Sequence, residues 1–242
     1  MWWLEMPERW EQFHDRLGTL ERLNLNLDLE RRHEYSEVNG WRIDQHEVDL
    51  PSETPGEPEM NGSFRAAKSI ASLYQFPPPD LITGIFRPDG PLEGRVMLLE
   101  AQFLWFWFLF GVRITQVTDG IFDSKTGREQ RWGYSYATLE GHFERGQITF
   151  TVAKNLEHGT VSFRITSFSQ RGLIRNLFYR FGFWLFGRML QGRFVRESLS
   201  RMQMLVQEKL VTGAVQTPST PVTSAANNPV VREKLENISG LN

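Results

Sequence analysis

Two short segments of this 242-residue sequence carry residue types that can perform catalysis. Residues 133–137, GYSYA, nearly match the G-x-S-x-G pattern of hydrolase nucleophiles. That pattern needs a sharp turn from strand to helix, whereas the alternation here predicts a continuing strand, so we expect no nucleophile at Ser135. His142 follows in a predicted turn, within reach of Glu140 or Glu144. It could act as a base or contact a ligand, or its ring nitrogen could tie the turn to the backbone.

The sequence contains little that indicates a metal or cofactor site. His33 and His46 fall on opposite arms of a predicted hairpin, beside Glu34 and Glu47. Alternation on an exposed hairpin produces such pairs freely, so we expect no metal. The chain has no cysteine, which excludes disulfides, thiolate nucleophiles and Cys-bound metal centres. It also lacks a phosphate-binding glycine loop, an H-E-x-x-H motif and a Rossmann fingerprint, so we expect no cofactor.

Aromatic residues are the most numerous candidates for ligand binding, at 13% of the chain. On strand faces such residues ordinarily build the core. Their number also suits an adaptable apolar pocket for a flat or lipidic molecule. We select eight candidate ligand-binding residues: Trp105, Trp107, Tyr134, Tyr136, Thr138, His142, Phe163 and Trp184.

Hydrophobic periodicity indicates the elements that must position these side chains. Residues 4–17 have helical spacing, and the alternating leucines of residues 23–29 predict a strand. Asn39-Gly40 favours a two-residue turn, which predicts a hairpin over residues 33–50. A further helix is predicted to begin at Ser63 and to end before three consecutive prolines.

After the prolines the hydrophobic period changes to two. Residues 148, 150 and 152, then 161, 163 and 165, alternate cleanly with polar residues, so one face of the sheet is predicted to be buried and the other wet. The aromatic run Phe103–Phe110 is interpreted as part of a buried strand, because its apolar stretch is too short for a membrane span. Six strand-like runs are predicted at residues 82–86, 95–110, 112–117, 131–138, 147–152 and 160–168.

From Leu173 to Leu210 apolar residues recur every three or four positions, which predicts a long helix. Three glycines near residues 182–192 predict a kink or break there. Together these elements predict an α+β fold in which a curved antiparallel sheet wraps around the C-terminal helix. We expect an N-terminal helical extension at residues 1–18, the main domain at 19–212 and a disordered tail at 213–242.

Charge is unevenly distributed along the chain. Residues 1–60 carry 15 acidic and 6 basic residues, a net charge of −9, while the whole chain carries −2. Residues 171–201 contain seven arginines and one acid, interleaved with apolar residues. Such a segment is typical of a solvated helix face, and it could also contact an anionic membrane. The acidic N-terminus lacks the basic region of a signal peptide, so we expect a soluble, cytoplasmic protein.

A family resemblance rests on residues 133–142, GYSYATLEGH, with Gly146 and Phe150 after them. They resemble the signature YGTLxGHxxxGEExF of the domain of unknown function 1990 family. This sequence departs from the signature where Ala137 replaces glycine and where Gln147-Ile148 replaces a pair of acids, so a function carried by those acids would be absent here. Further agreement, over about residues 23–210, comes from NGWR at 39–42, VDL at 48–50, FRAA at 64–67, FS at 168–169 and RMLQ at 188–191.

The resemblance implies a helix-grip fold similar to that of the START and pollen-allergen superfamily, whose members hold apolar ligands between sheet and long helix. It transfers no catalytic residue. We favour a non-enzymatic protein that binds a hydrophobic small molecule or lipid in such a pocket. The alternatives are an enzyme acting on that ligand through the Thr138–His142 motif, and a peripheral membrane or assembly protein that uses residues 171–201. No nucleic acid partner is expected, and the oligomeric state is left open.

Overall fold

The chain forms one antiparallel sheet framed by helices. The computed structural model describes the backbone of residues 6–103, 106–142, 144–171 and 177–216, and the side chains of residues 9–102, 107–142, 144–170 and 192–212. The elements, in chain order, are α1 (Met6–Gln12), α2 (His14–Leu20), β1 (Arg42–Leu50), α3 (Ser63–Ser72), β2 (Ile82–Ile85), β3 (Val96–Phe103), β4 (Phe106–Ser124), β5 (Gly127–Thr138), β6 (Glu144–Asn155), β7 (Val161–Arg171) and α4 (Leu177–Gln216).

The seven strands lie in the order β1-β7-β6-β5-β4-β3-β2, and every neighbouring pair is antiparallel. Each strand from β2 to β6 pairs with its successor in the chain, and β7 then pairs with β1. A register shift between Ile114 and Gln116 marks a bulge in β4, which increases the local twist of the sheet. The curved sheet and its long C-terminal helix confirm the predicted α+β, helix-grip class.

The inner face of the sheet carries the main hydrophobic core. Alternate residues of β5, β6 and β7 contribute to it because successive side chains of a strand point to opposite faces. Helix α4 covers this face with Met202, Leu205 and Val206. Helix α3 covers it with Phe64, Ala67, Ile70 and Ala71, and the strand residues of this core include Trp132, Tyr134, Tyr136, Phe150, Val152, Val161, Phe163 and Ile165.

The outer face of the sheet is covered in two places. Helix α2 buries Leu17 against Ile85 and Leu98, so the N-terminal helices pack on β2 and β3. Further along the sheet, Trp41 and Phe168 form a second cluster. Both faces of this sheet therefore contribute to the stability of the fold, and the inner face buries the larger core.

Three predicted strand features are wrong. Within residues 23–29 only Leu25 makes a bridge, to Leu139. The hairpin at residues 33–50 is absent, because two short 3-10 helices precede β1 and β1 pairs with the distant β7. His33 and His46 therefore do not face each other. The run at 95–110 is a hairpin of two strands, β3 and β4, because a continuous apolar run has no period that shows where the chain reverses.

Helix α4 is continuous through the three glycines where a break was predicted. A single glycine in a helix costs only about 1 kcal/mol relative to alanine. The helix extends to Gln216, beyond the predicted start of the tail at residue 213, and residues 217–242 lie outside the described part of the chain. Among the described helices, none is both long and apolar enough to cross a membrane.

One buried ion pair connects the loop after β1, the start of α3 and strand β6. Lys154 Nζ lies 2.7 Å from Glu53 Oε2, and both side chains are fully buried. The ammonium group also donates to the Glu57 carbonyl at 2.9 Å. The carboxylate accepts the backbone N–H of Phe64, in the first turn of α3, at 2.7 Å and that of Glu59 at 2.9 Å. These additional hydrogen bonds offset the cost of burying two charges.

The substitution Lys154→Met should lower the free energy of unfolding by about 3–5 kcal/mol, because it leaves the Glu53 carboxylate buried without a counter-charge. Urea unfolding monitored by circular dichroism measures the change. Lys68→Met is the matched control, since it breaks an exposed ion pair with Asp119 and should cost about 1 kcal/mol or less. Equal losses in the two variants would contradict the role assigned to the buried pair.

Candidate functional site

The inner face of the sheet is less buried near the end of β5 than in its centre. Along β4, Val112 is 1% exposed, whereas Phe110, two residues earlier on the same face, is half-buried. Along β6, Phe150 is 1% exposed, whereas Ile148 is half-buried. Both half-buried residues lie toward the end of β5, where Tyr136 pairs directly with Ile148. We call this region, formed by Phe110, Tyr136 and Ile148, the open end.

Helix α4 shows the same change in burial. Met202 is fully buried, and Phe194, two turns earlier on the same side of the helix, is half-buried. Strand β7 ends at Arg171, opposite Glu144, and α4 begins at Leu177.

Three tyrosines supply hydroxyl groups to the buried part of the inner face. The hydroxyls of Tyr74 and Tyr136 are 3.2 Å apart, and Tyr134 donates to the Ala71 carbonyl at 3.0 Å. Burial raises the pKa of Tyr136 to about 12 and raises the pKa values of Tyr74 and Tyr134 well above their ordinary range. All three are therefore neutral hydrogen-bonding groups at physiological pH.

Tyr74 reaches this cluster through an unusual backbone conformation. Its φ of 54° lies in the left-handed region. It follows the C-cap residue of α3, where its N–H donates to Ala71 and the next N–H, from Gln75, donates to Ile70. This is a Schellman motif, a position that glycine usually occupies. The conformation costs about 1–2 kcal/mol in a residue with a side chain, and burial of the ring in the aromatic core offsets it.

His142 lies in the turn after β5, where Gly141 has a φ of 86°. Its Nδ1 accepts the backbone N–H of Glu144 at 3.0 Å, and its ring packs edge-on against Phe110 with the centroids 4.7 Å apart. Burial lowers the pKa of His142 to about 4, so the ring is neutral near pH 7. Because Nδ1 is an acceptor, the proton resides on Nε2. The ring nitrogen ties the turn to the backbone, which is one of the two predicted roles.

Other residues of the GYSYATLEGH segment hold strands together. Thr138 Oγ1 accepts the N–H of Gly146 at 3.0 Å and donates to Asn26 Oδ1 at 2.5 Å. At Gly133 a Cβ atom would lie 2.2 Å from the Phe150 carbonyl oxygen, so only glycine fits. The segment remains in β5 as far as Thr138, with no strand-to-helix turn, so it does not form a nucleophile elbow.

The structure brings some of the eight candidate residues together and separates others. Tyr134, Tyr136 and Phe163 share the inner-face core. Trp107 is 60% exposed, on the opposite face of β4 from Phe110. Trp105 lies outside the described residues, and Trp184 belongs to the part of α4 whose side chains are outside the description. Tyr136 and His142 flank the open end, while Thr138 is bonded within the sheet.

Two surface depressions lie elsewhere. One, of about 130 Å³, is on the outer face beside Arg32 and Tyr35. The other, of about 490 Å³, is an open groove between α3 and the end of α4, with Arg65, Glu208 and Lys209 among its lining residues. Neither is lined by any of the eight candidate residues. Both linings mix apolar residues with polar or charged ones.

Some arginines of residues 171–201 form ion pairs and hydrogen bonds within the protein. Arg193 pairs with Asp80 and Glu197, at 2.7 Å each. Arg201 donates to the Gln75 carbonyl at 3.1 Å. Among the described side chains, no group of three or more His, Asp or Glu residues could hold a metal ion.

Sequence reasoning missed Tyr74 and Ser198. No local pattern marks Tyr74, because its role depends on a left-handed conformation that its residue type disfavours. Ser198 could have been found, since it is a polar residue on the apolar stripe of α4 between Phe194 and Met202.

The antiparallel sheet and its long C-terminal helix define a helix-grip protein. The chain belongs to the family described as Domain of unknown function (DUF1990), whose model matches residues 30–201. It is similar to the UPF0548 protein of Dictyostelium discoideum, with 27% identity over 149 residues that cover 56% of this chain and 63% of that protein. The chain thus spans less than two thirds of that relative's length.

The chain is also similar to solved structures. Ara h 8.0201 has a TM-score of 0.42 and 10% identity, and the match covers 71% of this chain and 99% of that chain. A norcoclaurine synthase point mutant from Thalictrum flavum, in complex with a transition state analogue, has a TM-score of 0.43 and 10% identity, over 72% of this chain and 96% of that chain. No residue role is transferred from either structure.

The substitution His142→Asn should flatten the dependence of stability on pH. The folded pKa of about 4 lies below the ordinary 6.5, so the unfolded chain binds more protons between these values. The contribution of His142 to the free energy of unfolding is therefore complete above pH 6.5 and is lost as the pH falls toward 4. Over this range the free energy of unfolding changes by at most about 1.4 kcal/mol per pH unit. The asparagine Oδ1 can accept the Glu144 N–H without titrating.

Urea unfolding at pH 7, 6 and 5 measures this slope. His33→Asn, at a side chain that is 77% exposed, is the matched control and should keep the slope of the unaltered protein. A slope for His142→Asn equal to that of the control would show that His142 does not titrate in this way.

Proposed function

We propose that the protein binds an apolar small molecule or lipid at the open end, between the inner face of the sheet and α4. The observation that carries this proposal is the change in burial along β4, β6 and α4, since each element passes from fully buried to half-buried apolar residues at the same end. Half-buried apolar side chains on the inner face are what a hydrophobic ligand would bury further.

The chemistry of the open end favours binding over catalysis. His142 is neutral, and its Nδ1 is already an acceptor for the backbone, so that nitrogen does not serve as a base near pH 7. The nearby tyrosine hydroxyls are neutral and hydrogen-bonded to each other or to the backbone. Groups of this kind orient a ligand and do not supply an activated nucleophile.

The substitution Ile148→Trp should weaken binding of the neutral apolar dye Nile red at least about tenfold, because the larger side chain occupies the open end. Dye fluorescence titrated against protein measures the affinity. Ile121→Trp is the matched control, because Ile121 is 56% exposed near the other end of β4, and it should change the affinity by less than about twofold. No dye binding by the unaltered protein, or equal weakening in both variants, would refute the proposal.

A further inference from the structure

Helix α4 places one polar side chain in the middle of its inward-facing stripe. Phe194, Ser198, Met202 and Leu205 are three or four residues apart, so they share one face of the helix. Met202 and Leu205 belong to the inner-face core, and Ser198 is 0% exposed. Ser198 therefore lies one turn from the closed core, on the side of the half-buried Phe194.

Hydrogen bonds on both sides of this stripe fix the rotation of the helix. Arg201 donates to the Gln75 carbonyl, after α3, at 3.1 Å. Gln203 donates to the Asp49 carbonyl, in β1, at 2.8 Å. These contacts hold the two flanks, and the side chain of Ser198 lies between them, fully buried from solvent.

The hydroxyl of Ser198 has no hydrogen-bond partner within the described part of the chain. A serine in a helix commonly bonds to the carbonyl one turn earlier, and this one does not. Leaving a buried hydroxyl unpaired costs about 1–3 kcal/mol, so the arrangement calls for a partner that is not part of the protein.

The charges of the interior define what that partner can be. Three charged residues of the described part of the chain are buried, and each is paired: Glu53 with Lys154, and Glu129 with Arg131 and Arg164. Among these three buried residues, an anionic or cationic group entering the core would find no free counter-charge. A neutral oxygen can instead exchange a hydrogen bond with the serine hydroxyl.

We infer that Ser198 hydrogen-bonds the polar atom of the bound molecule, and that this molecule is a neutral apolar compound carrying a hydroxyl or carbonyl oxygen. This inference rests on the proposed function and deepens it. The hydrocarbon part lies along the open end, and its oxygen meets Ser198 where the closed core begins.

Displacement of Nile red by 1-decanol and by decane tests the inference. Ser198→Ala should weaken 1-decanol binding about fivefold, the equivalent of one neutral hydrogen bond, and should leave decane binding within about twofold. Ser200→Ala, at an exposed position of the same helix, is the matched control and should change neither affinity. The alanine variant loses an unpaired hydroxyl and is expected to fold, which its Tm checks.

Equal 1-decanol affinities for the unaltered protein and Ser198→Ala would overturn this inference and leave the proposed function standing, provided that Nile red still binds. A lower Tm for Ser198→Ala without any change in 1-decanol affinity would assign the hydroxyl to a buried water, and would also overturn it. Absence of Nile red binding to the unaltered protein would instead overturn the proposed function itself.

Discussion

The carboxylate of Glu53 joins three parts of the protein. It accepts the N–H of Phe64 at the start of α3 and pairs with Lys154 of β6, and the loop after β1 carries it to both. Any displacement of α3 from the sheet would leave a charge buried without its partner, at a cost of several kcal/mol. Because the first turn of α3 is fixed in this way, its last turn presents Tyr74 to the inner face, where the hydroxyl meets Tyr136.

The closed part of the inner face thus serves the stability of the fold, and the open end is where we propose that a ligand binds. The aromatic side chains of the closed part pack on one another, as Phe76 does against Phe150 with ring centroids 4.7 Å apart. Toward the end of β5 this packing gives way to half-buried Ile148 and Phe110. The side chains of Tyr136 and His142 are neutral there, and the three buried charged residues of the described part of the chain are paired. The arrangement suits recognition of an apolar molecule more than chemical conversion of it.

Local sequence patterns predicted the elements whose buried residues recur at one clear spacing. The alternation around Phe150 and Phe163 predicted the inner face of β6 and β7, and the helix at Ser63 was predicted from its spacing. Long-range pairing was not predictable in this way. The partner of β1 is β7, over 100 residues away, and the Glu53–Lys154 pair joins residues 101 positions apart. The position of His142 in a turn was predictable, whereas its lowered pKa depends on burial against Phe110 and neighbouring groups.

Native mass spectrometry of the 242-residue chain, after exposure to a total lipid extract, tests the central claim most directly. Organic extraction then identifies what the protein retains. The account predicts one molecule per chain, uncharged and largely hydrocarbon, with a hydroxyl or carbonyl oxygen. A chain that retains nothing, or that retains only charged lipids, would contradict it.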